Sequence, residues 1–195
     1  MIIGHSAGLA CADATLPVSL ADGARFAHRL WATPPLDSGR ARSHDADMTI
    51  TIRPTARDDF TGWNRLWQAY LEFYESSVDD AVTRTSFDRL TDPTEPMGSF
   101  LAHSADGRAV GMVNWVRHRS TWTTGDYCYL QDLYADRDVR GTGIGRLLIE
   151  AVYGVASEMG CSRVLWLTHE TNQTAMLLYD RIADRSGFVQ YRKVL

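Results

Sequence analysis

At 195 residues, 45% hydrophobic and 23% charged, the chain has an ordinary globular composition, with room for one domain and a sizeable core. A net charge of −4, with no Lys/Arg run of five or more, argues against a nucleic-acid partner, and no apolar stretch approaches the roughly 18 residues of a membrane span. The three cysteines, Cys11, Cys128 and Cys161, are odd in number and show no metal-ligand spacing, which predicts a reducing, cytoplasmic setting without disulfides or a bound metal.

Residues 1–47 are rich in Ala, Ser, Gly, Pro and Asp and carry no sustained hydrophobic period. The first twenty residues lack the basic start of a signal peptide. Arg25, Arg29, Arg40 and Arg42 suit a transit peptide, but five aspartates argue against one. The segment reads as disordered or weakly ordered. Met48 is followed at once by a strand-like alternation, Thr49 to Pro54, so Met48 is an alternative start and 48–195 is the expected folded domain.

Asp58 or Asp59 is placed to cap a helix beginning near Phe60. Phe60, Trp63, Leu66, Trp67, Tyr70, Leu71 and Tyr74 recur at helical steps and predict one apolar face. A short helix is expected near Ser86 to Leu90, and prolines at 93 and 96 then break the chain. Ser99–His103 and Ala109–His118 read as strands around an Asp106-Gly107 hairpin turn, and Thr121–Asp126 as a polar connection. Tyr127–Ala135 is a strand. Ile144, Leu147, Leu148, Ala151, Val152, Val155, Ala156 and Met159 are helix-periodic, with Gly160 as the stop. Arg163–Leu167 reads as a short buried strand, Asn172 as the cap of a helix through Tyr179 to Ile182, and Phe188–Val194 as a last strand.

Between the strand that starts at Tyr127 and the helix that follows lie three glycines at alternate positions, Gly141, Gly143 and Gly145. A strand, a glycine turn and a helix start together make an anion site, because backbone N–H groups can approach a ligand and the helix end carries partial positive charge. A P-loop would need Lys-Ser/Thr where Arg146-Leu147 stand. A dinucleotide fold would need Gly-x-Gly-x-x-Gly in the first strand–helix unit. A tight turn without a ligand is the plain alternative, but it leaves the three glycines without a use.

Arg140-x-x-Gly143-x-Gly145 resembles the pyrophosphate-binding motif of the GNAT family of acetyl-CoA-dependent N-acetyltransferases. The element order over 48–195 is similar to that whole fold. Tyr127-Cys-Tyr-Leu-Gln-Asp-Leu-Tyr, His118-Arg-Ser-Thr-Trp122 and Asn172-Gln-Thr-Ala-Met-Leu-Leu-Tyr179 resemble the branch with the yeast histone/polyamine and diamine acetyltransferases. The resemblance implies a single α/β domain. Its mixed, mostly antiparallel twisted sheet would be flanked by helices and split by splayed central parallel strands. It also implies acetyl-CoA as co-substrate, no metal, and direct attack of a primary amine on the thioester in a ternary complex. The acceptor would be a small amine or polyamine, an amino acid or a protein lysine, and homodimers are frequent among such proteins.

The site residues follow from the same resemblance. Main-chain groups of Leu133, Tyr134 and Ala135 would pair with pantetheine. Arg140, Gly141, Thr142, Gly143, Ile144, Gly145 and Arg146 would hold the pyrophosphate, with Asn172 and Thr174 near the cofactor arm. Tyr179 would protonate the departing thiolate, and its plainer role is a core aromatic. The departure is Gln131, at the strand position where relatives commonly carry a glutamate implicated in taking the amine's proton. Glutamine cannot accept that proton at neutral pH. Strict alternation puts Asp132 on the opposite face as a structural partner, unless a bulge re-aims it as a base. Water, Glu170 or His118 are further routes. Glu72, Glu75, Asp79 and Asp80 would attract a cationic amine or simply solvate a helix end. A catalytically degenerate acyl-CoA-binding module is the rival function, and Gln131 is the feature that favours it.

Overall fold

The structure, a computed structural model, describes residues 49–195. The expected disorder of 1–47, Cys11 and the alternative start at Met48 lie outside the described residues. In chain order the elements are β1 (Thr51–Pro54), α1 (Phe60–Phe73), α2 (Asp80–Leu90), β2 (Met97–His103), β3 (Ala109–His118), β4 (Tyr127–Ala135), α3 (Ile144–Glu158), β5 (Arg163–Leu165) and α4 (Gln173–Ile182). The strands lie in sequence order in one sheet, with β1 to β4 antiparallel and β4 to β5 parallel. This is the expected α/β architecture.

Each face of the sheet carries its own core. On one side, Trp63 and Leu66 of α1 and Phe87 and Leu90 of α2 pack on Leu101, Met112 and Tyr134. On the other, Ile144, Leu148, Ile149, Val152 and Ala156 of α3 pack on Phe100, Val110, Val113, Cys128 and Leu130. β3 is covered on both faces, and so its sequence is a nearly unbroken apolar run. Asn114 interrupts that run and is itself buried.

Asp59 does not cap α1. Its carboxylate accepts from both terminal nitrogens of Arg53, at 2.6 and 2.7 Å, and from the Ala56 amide at 2.7 Å, so it ties β1 to the start of α1. α2 begins at Asp80, six residues before the expected Ser86. Its buried face is only Thr83, Phe87 and Leu90, too sparse to extend the periodic signal upstream. Gly160 ends α3 as expected, at φ +68°.

Two expectations fail at the far edge. β5 stops at Leu165 instead of Leu167, and Phe188–Val194 is not a strand. A strand exists only where its N–H and C=O groups find a ladder partner. The 188–194 segment has none among the described residues, and Phe188, Val189, Tyr191 and Val194 stand exposed, Tyr191 at 91%.

The turn after β4 is braced from outside the sheet. Asp136 is buried and accepts from Arg65 of α1 at 3.0 and 2.8 Å and from Arg108 at 3.1 Å, while Arg108 also reaches Asp138 at 2.8 Å. Two guanidinium groups from different elements thus fix the point at which the chain leaves β4 for the glycine loop.

Candidate active site

β4 and β5 pair at only three positions, Tyr127 with Arg163, Cys128 with Val164 and Tyr129 with Leu165. Beyond Tyr129 the two parallel strands part. Leu130 and Asp132 to Ala135 keep their β3 partners and have no strand on the other side among the described residues. That is the expected splay, and it leaves the main-chain edge of Leu133, Tyr134 and Ala135 open to an extended ligand. The Ala135 carbonyl accepts from Arg140 Nε at 3.3 Å.

The glycine loop follows. Gly141 and Gly143 sit at φ +81° and +91°, and Gly143 is the N-cap of α3. A Cβ at either position would meet no atom within 4 Å, so the requirement is backbone conformation rather than space. Glycine offers no side chain to cap α3, and its first turn holds no acidic residue. Among the described residues the backbone N–H groups from Gly141 to Arg146 find no acceptor. Unpartnered donors at the positive end of a 15-residue helix suit a phosphate.

The side chains around the loop are engaged elsewhere. Thr142 Oγ1 donates to the Val139 carbonyl at 2.7 Å, and Arg146 pairs with Glu150 at 2.7 Å. The Arg140 guanidinium lies over the rings of Phe73 and Tyr134, 5.5 and 5.6 Å from their centroids. Asn172 caps α4, its Oδ1 accepting from the Ala175 amide at 3.4 Å, and Thr174 is exposed on that helix. Asn172 is therefore occupied in a structural bond.

The strand is bulged at Gln131. Trp115 stands opposite Leu130 and Asn114 opposite Asp132, so Gln131 has no partner and is exposed. Before the bulge, Cys128 and Leu130 point into the α3 core. After it, Leu133 and Ala135 do so, and Tyr134 faces α1. Unbroken alternation would have driven the Asp132 carboxylate in beside Leu130, among apolar side chains. The bulge turns it to the α1 face, where Asn114 Nδ2 donates to its Oδ2 at 3.1 Å and Tyr70 and Tyr129 lie beside it. Burial raises the Asp132 pKa above the ordinary carboxylate value, against the opposing pull of Asn114 and Tyr70. Burial and then the neighbouring Asp132 raise the phenols of Tyr70 and Tyr129 as well, so both stay protonated at neutral pH.

Tyr179 is half-buried on α4, edge-on to Trp166 with ring centroids 5.4 Å apart. Burial first, then the nearby Tyr74, pushes its hydroxyl up to about 12. Tyr70 and Tyr74, stacked edge to face at 5.0 Å, thus link the surroundings of Asp132 to those of Tyr179. The two alternative proton acceptors lie elsewhere. His118 is exposed at the end of β3, opposite the start of β4, its Nδ1 on the Arg119 carbonyl at 2.8 Å and its ring against Tyr127. Five strand residues, roughly 15 Å, separate Tyr127 from Asp132. Glu170 is exposed in the loop before α4. Sequence reasoning missed Asn114, although a lone amide in a run as apolar as Ala109–Trp115 was a usable signal for a buried polar partner.

Residues 63–183 match the family model described as "Acetyltransferase (GNAT) family". The D-amino-acid N-acetyltransferase HPA3 of Saccharomyces cerevisiae is 34% identical over 145 residues, 74% of this chain and 90% of that protein. A thialysine N-epsilon-acetyltransferase of Sus scrofa is 35% identical over 96 residues, 49% of this chain and 51% of its own. Among solved structures, AAC(6')-Iy in complex with a CoA-based bisubstrate analog superposes with a TM-score of 0.65 at 18% identity, covering 75% of this chain and 99% of that one. Such low identity speaks for the shared fold alone. No group of His, Cys, Asp or Glu among the described residues is arranged to hold a metal, and no described helix is long and apolar enough to cross a membrane.

Proposed function

The chain belongs to the GNAT family of acetyltransferases, and from that premise we propose that it moves an acetyl group from acetyl-CoA to the primary amine of a small molecule, with Asp132 receiving the amine's proton. The bulge at Gln131 carries the reading of the proton's route. It leaves a glutamine, which cannot act as base, in solvent, and turns the next carboxylate toward a cluster of tyrosines beside the splay.

The residues fit an acyl-CoA. Backbone N–H groups of Gly141 to Arg146 would hold its pyrophosphate, with Arg140 free to leave the Phe73 and Tyr134 rings for a phosphate oxygen. The open edge at Leu133 to Ala135 would take the pantetheine amides. Once bound, the thioester supplies the acetyl group. The chain then orients the amine and handles two protons. A desolvated carboxylate with a raised pKa is a better acceptor than an exposed one, which suits Asp132 to take the proton from the attacking nitrogen. Tyr179, protonated throughout the working range, suits the donation of a proton to the departing sulfur.

The relatives' names favour an amine carried on an amino acid or a similar small molecule. The degenerate-module alternative rested on Gln131, and the relatives matched are named as enzymes. The test is turnover of acetyl-CoA over a panel of D- and L-amino acids, thialysine, polyamines and a lysine peptide. Acetylation of at least one small amine is expected, whereas binding of acetyl-CoA with no turnover on any of them would overturn the reading.

The loop assignment has its own test. An L-residue at the φ of +91° found at Gly143 costs roughly 1–2 kcal/mol, and a β-branched one distorts the turn. Gly143→Val should melt slightly lower and bind acetyl-CoA at least about tenfold more weakly by calorimetry. Unchanged affinity would put the phosphates elsewhere.

A further inference from the structure

The Asp132 carboxylate ends a buried chain of fixed polarity. Trp63, 1% exposed on α1, donates from its indole Nε1 to Asn114 Oδ1 at 3.1 Å. An indole N–H has no acceptor capacity, so the Asn114 oxygen must face it and the NH2 must face the other way. That NH2 donates to Asp132 Oδ2 at 3.1 Å. Asn114 and Asp132 are 4% and 8% exposed, which leaves little room for water to substitute for either bond. No other hydrogen bond within 3.5 Å reaches the carboxylate among the described residues, and Tyr70 is a longer hydrogen-bond partner to it. Among the same described residues Oδ1 accepts no hydrogen bond within 3.5 Å, and Tyr70 from α1 and Tyr129 from β4 are the titratable groups beside the carboxylate, while β3 contributes the neutral Asn114.

We propose that Trp63 and Asn114 are positioning residues that hold Oδ2 as a permanent acceptor, so that the proton taken from the amine arrives on Oδ1. The inference rests on the reading of Asp132 as that proton's acceptor. The indole sets which way the amide points, and the amide sets which carboxylate oxygen stays available. Neither residue touches the substrate. The same NH2 steadies the charged carboxylate against burial.

The test is the pH profile of kcat/KM in full-length variants. Asn114→Leu keeps the side-chain size and removes the donor. The acid limb should move up by about one to two pH units, the equivalent of one hydrogen bond to a charged group. The rate on the acid side then falls about ten- to a hundredfold and recovers as the pH rises. Trp63→Phe keeps a buried ring, frees the amide to turn, and should shift the limb in the same direction by less. Should Asn114→Leu fail to fold, Trp63→Phe decides. A uniform loss at every pH, with the limb at its wild-type position, would overturn the inference and leave these residues a packing role. Asp132→Asn separates the two readings. Full activity in that variant defeats the proton-acceptor reading itself. A large loss there, beside an unmoved limb in the Asn114 and Trp63 variants, defeats only the positioning.

Discussion

Asp132→Asn is expected to lower kcat by about 10²- to 10⁴-fold, the usual worth of a positioned base, while the protein melts no lower at neutral pH than the wild type. The two halves come from one observation. Burial raises the Asp132 pKa above its unfolded value of about 3.9, so the fold favours the neutral carboxyl. Its contribution to stability is fully present below the unfolded pKa and is lost as the pH rises through the folded one. Above the folded pKa the carboxylate is therefore held at a cost. The variant's amide is neutral at every pH and its oxygen still accepts from Asn114. A purely structural aspartate would behave in the opposite way, its loss lowering the melting temperature and leaving the chemistry intact. Thermal melts and steady-state rates on the same preparation separate the two.

Tyr179→Phe is expected to lower kcat by at least about tenfold with acetyl-CoA affinity nearly unchanged. The ring packs on Trp166, and phenylalanine keeps it, so stability should change little. What disappears is a hydroxyl raised to about 12, which stays protonated wherever the enzyme is assayed. An acid is needed most when the leaving sulfur is most basic. An acetyl thioester of a more acidic thiol should therefore lose less rate in the variant. An equal loss for both thioesters, together with a lower melting temperature, would make Tyr179 a packing residue.

Most of the framework was legible because it is written in local patterns. The alternating strand at Tyr127–Ala135, the period of α3 and the positive-φ glycines each follow from residues close in sequence. The edge at Phe188–Val194 was misjudged because strand pattern describes a residue's fitness for a ladder and not the presence of a partner. α2 was foreshortened because three buried residues leave a weak period.

The site was harder. Gln131 and Asp132 are adjacent in the sequence, and which of them faces α1 depends on one extra residue in the β3–β4 register, which no pattern within β4 reveals. The bulge was foreseen as a condition for Asp132 to act, and the structure meets it. Asn114 and Trp63 are 18 and 51 residues away from their partners in the chain, and only the fold brings them together. The cap of α4 by Asn172, in contrast, was legible from its local sequence.

The most direct test of the account is the pH dependence of kcat/KM for the best amine, measured in the wild type and in Asp132→Asn. The account predicts an acid limb in the wild type, at a pH above the ordinary aspartate value, and its disappearance in the variant as the remaining slow rate becomes flat across that range. The same limb persisting unchanged in Asp132→Asn would show that another group takes the proton and would contradict the account.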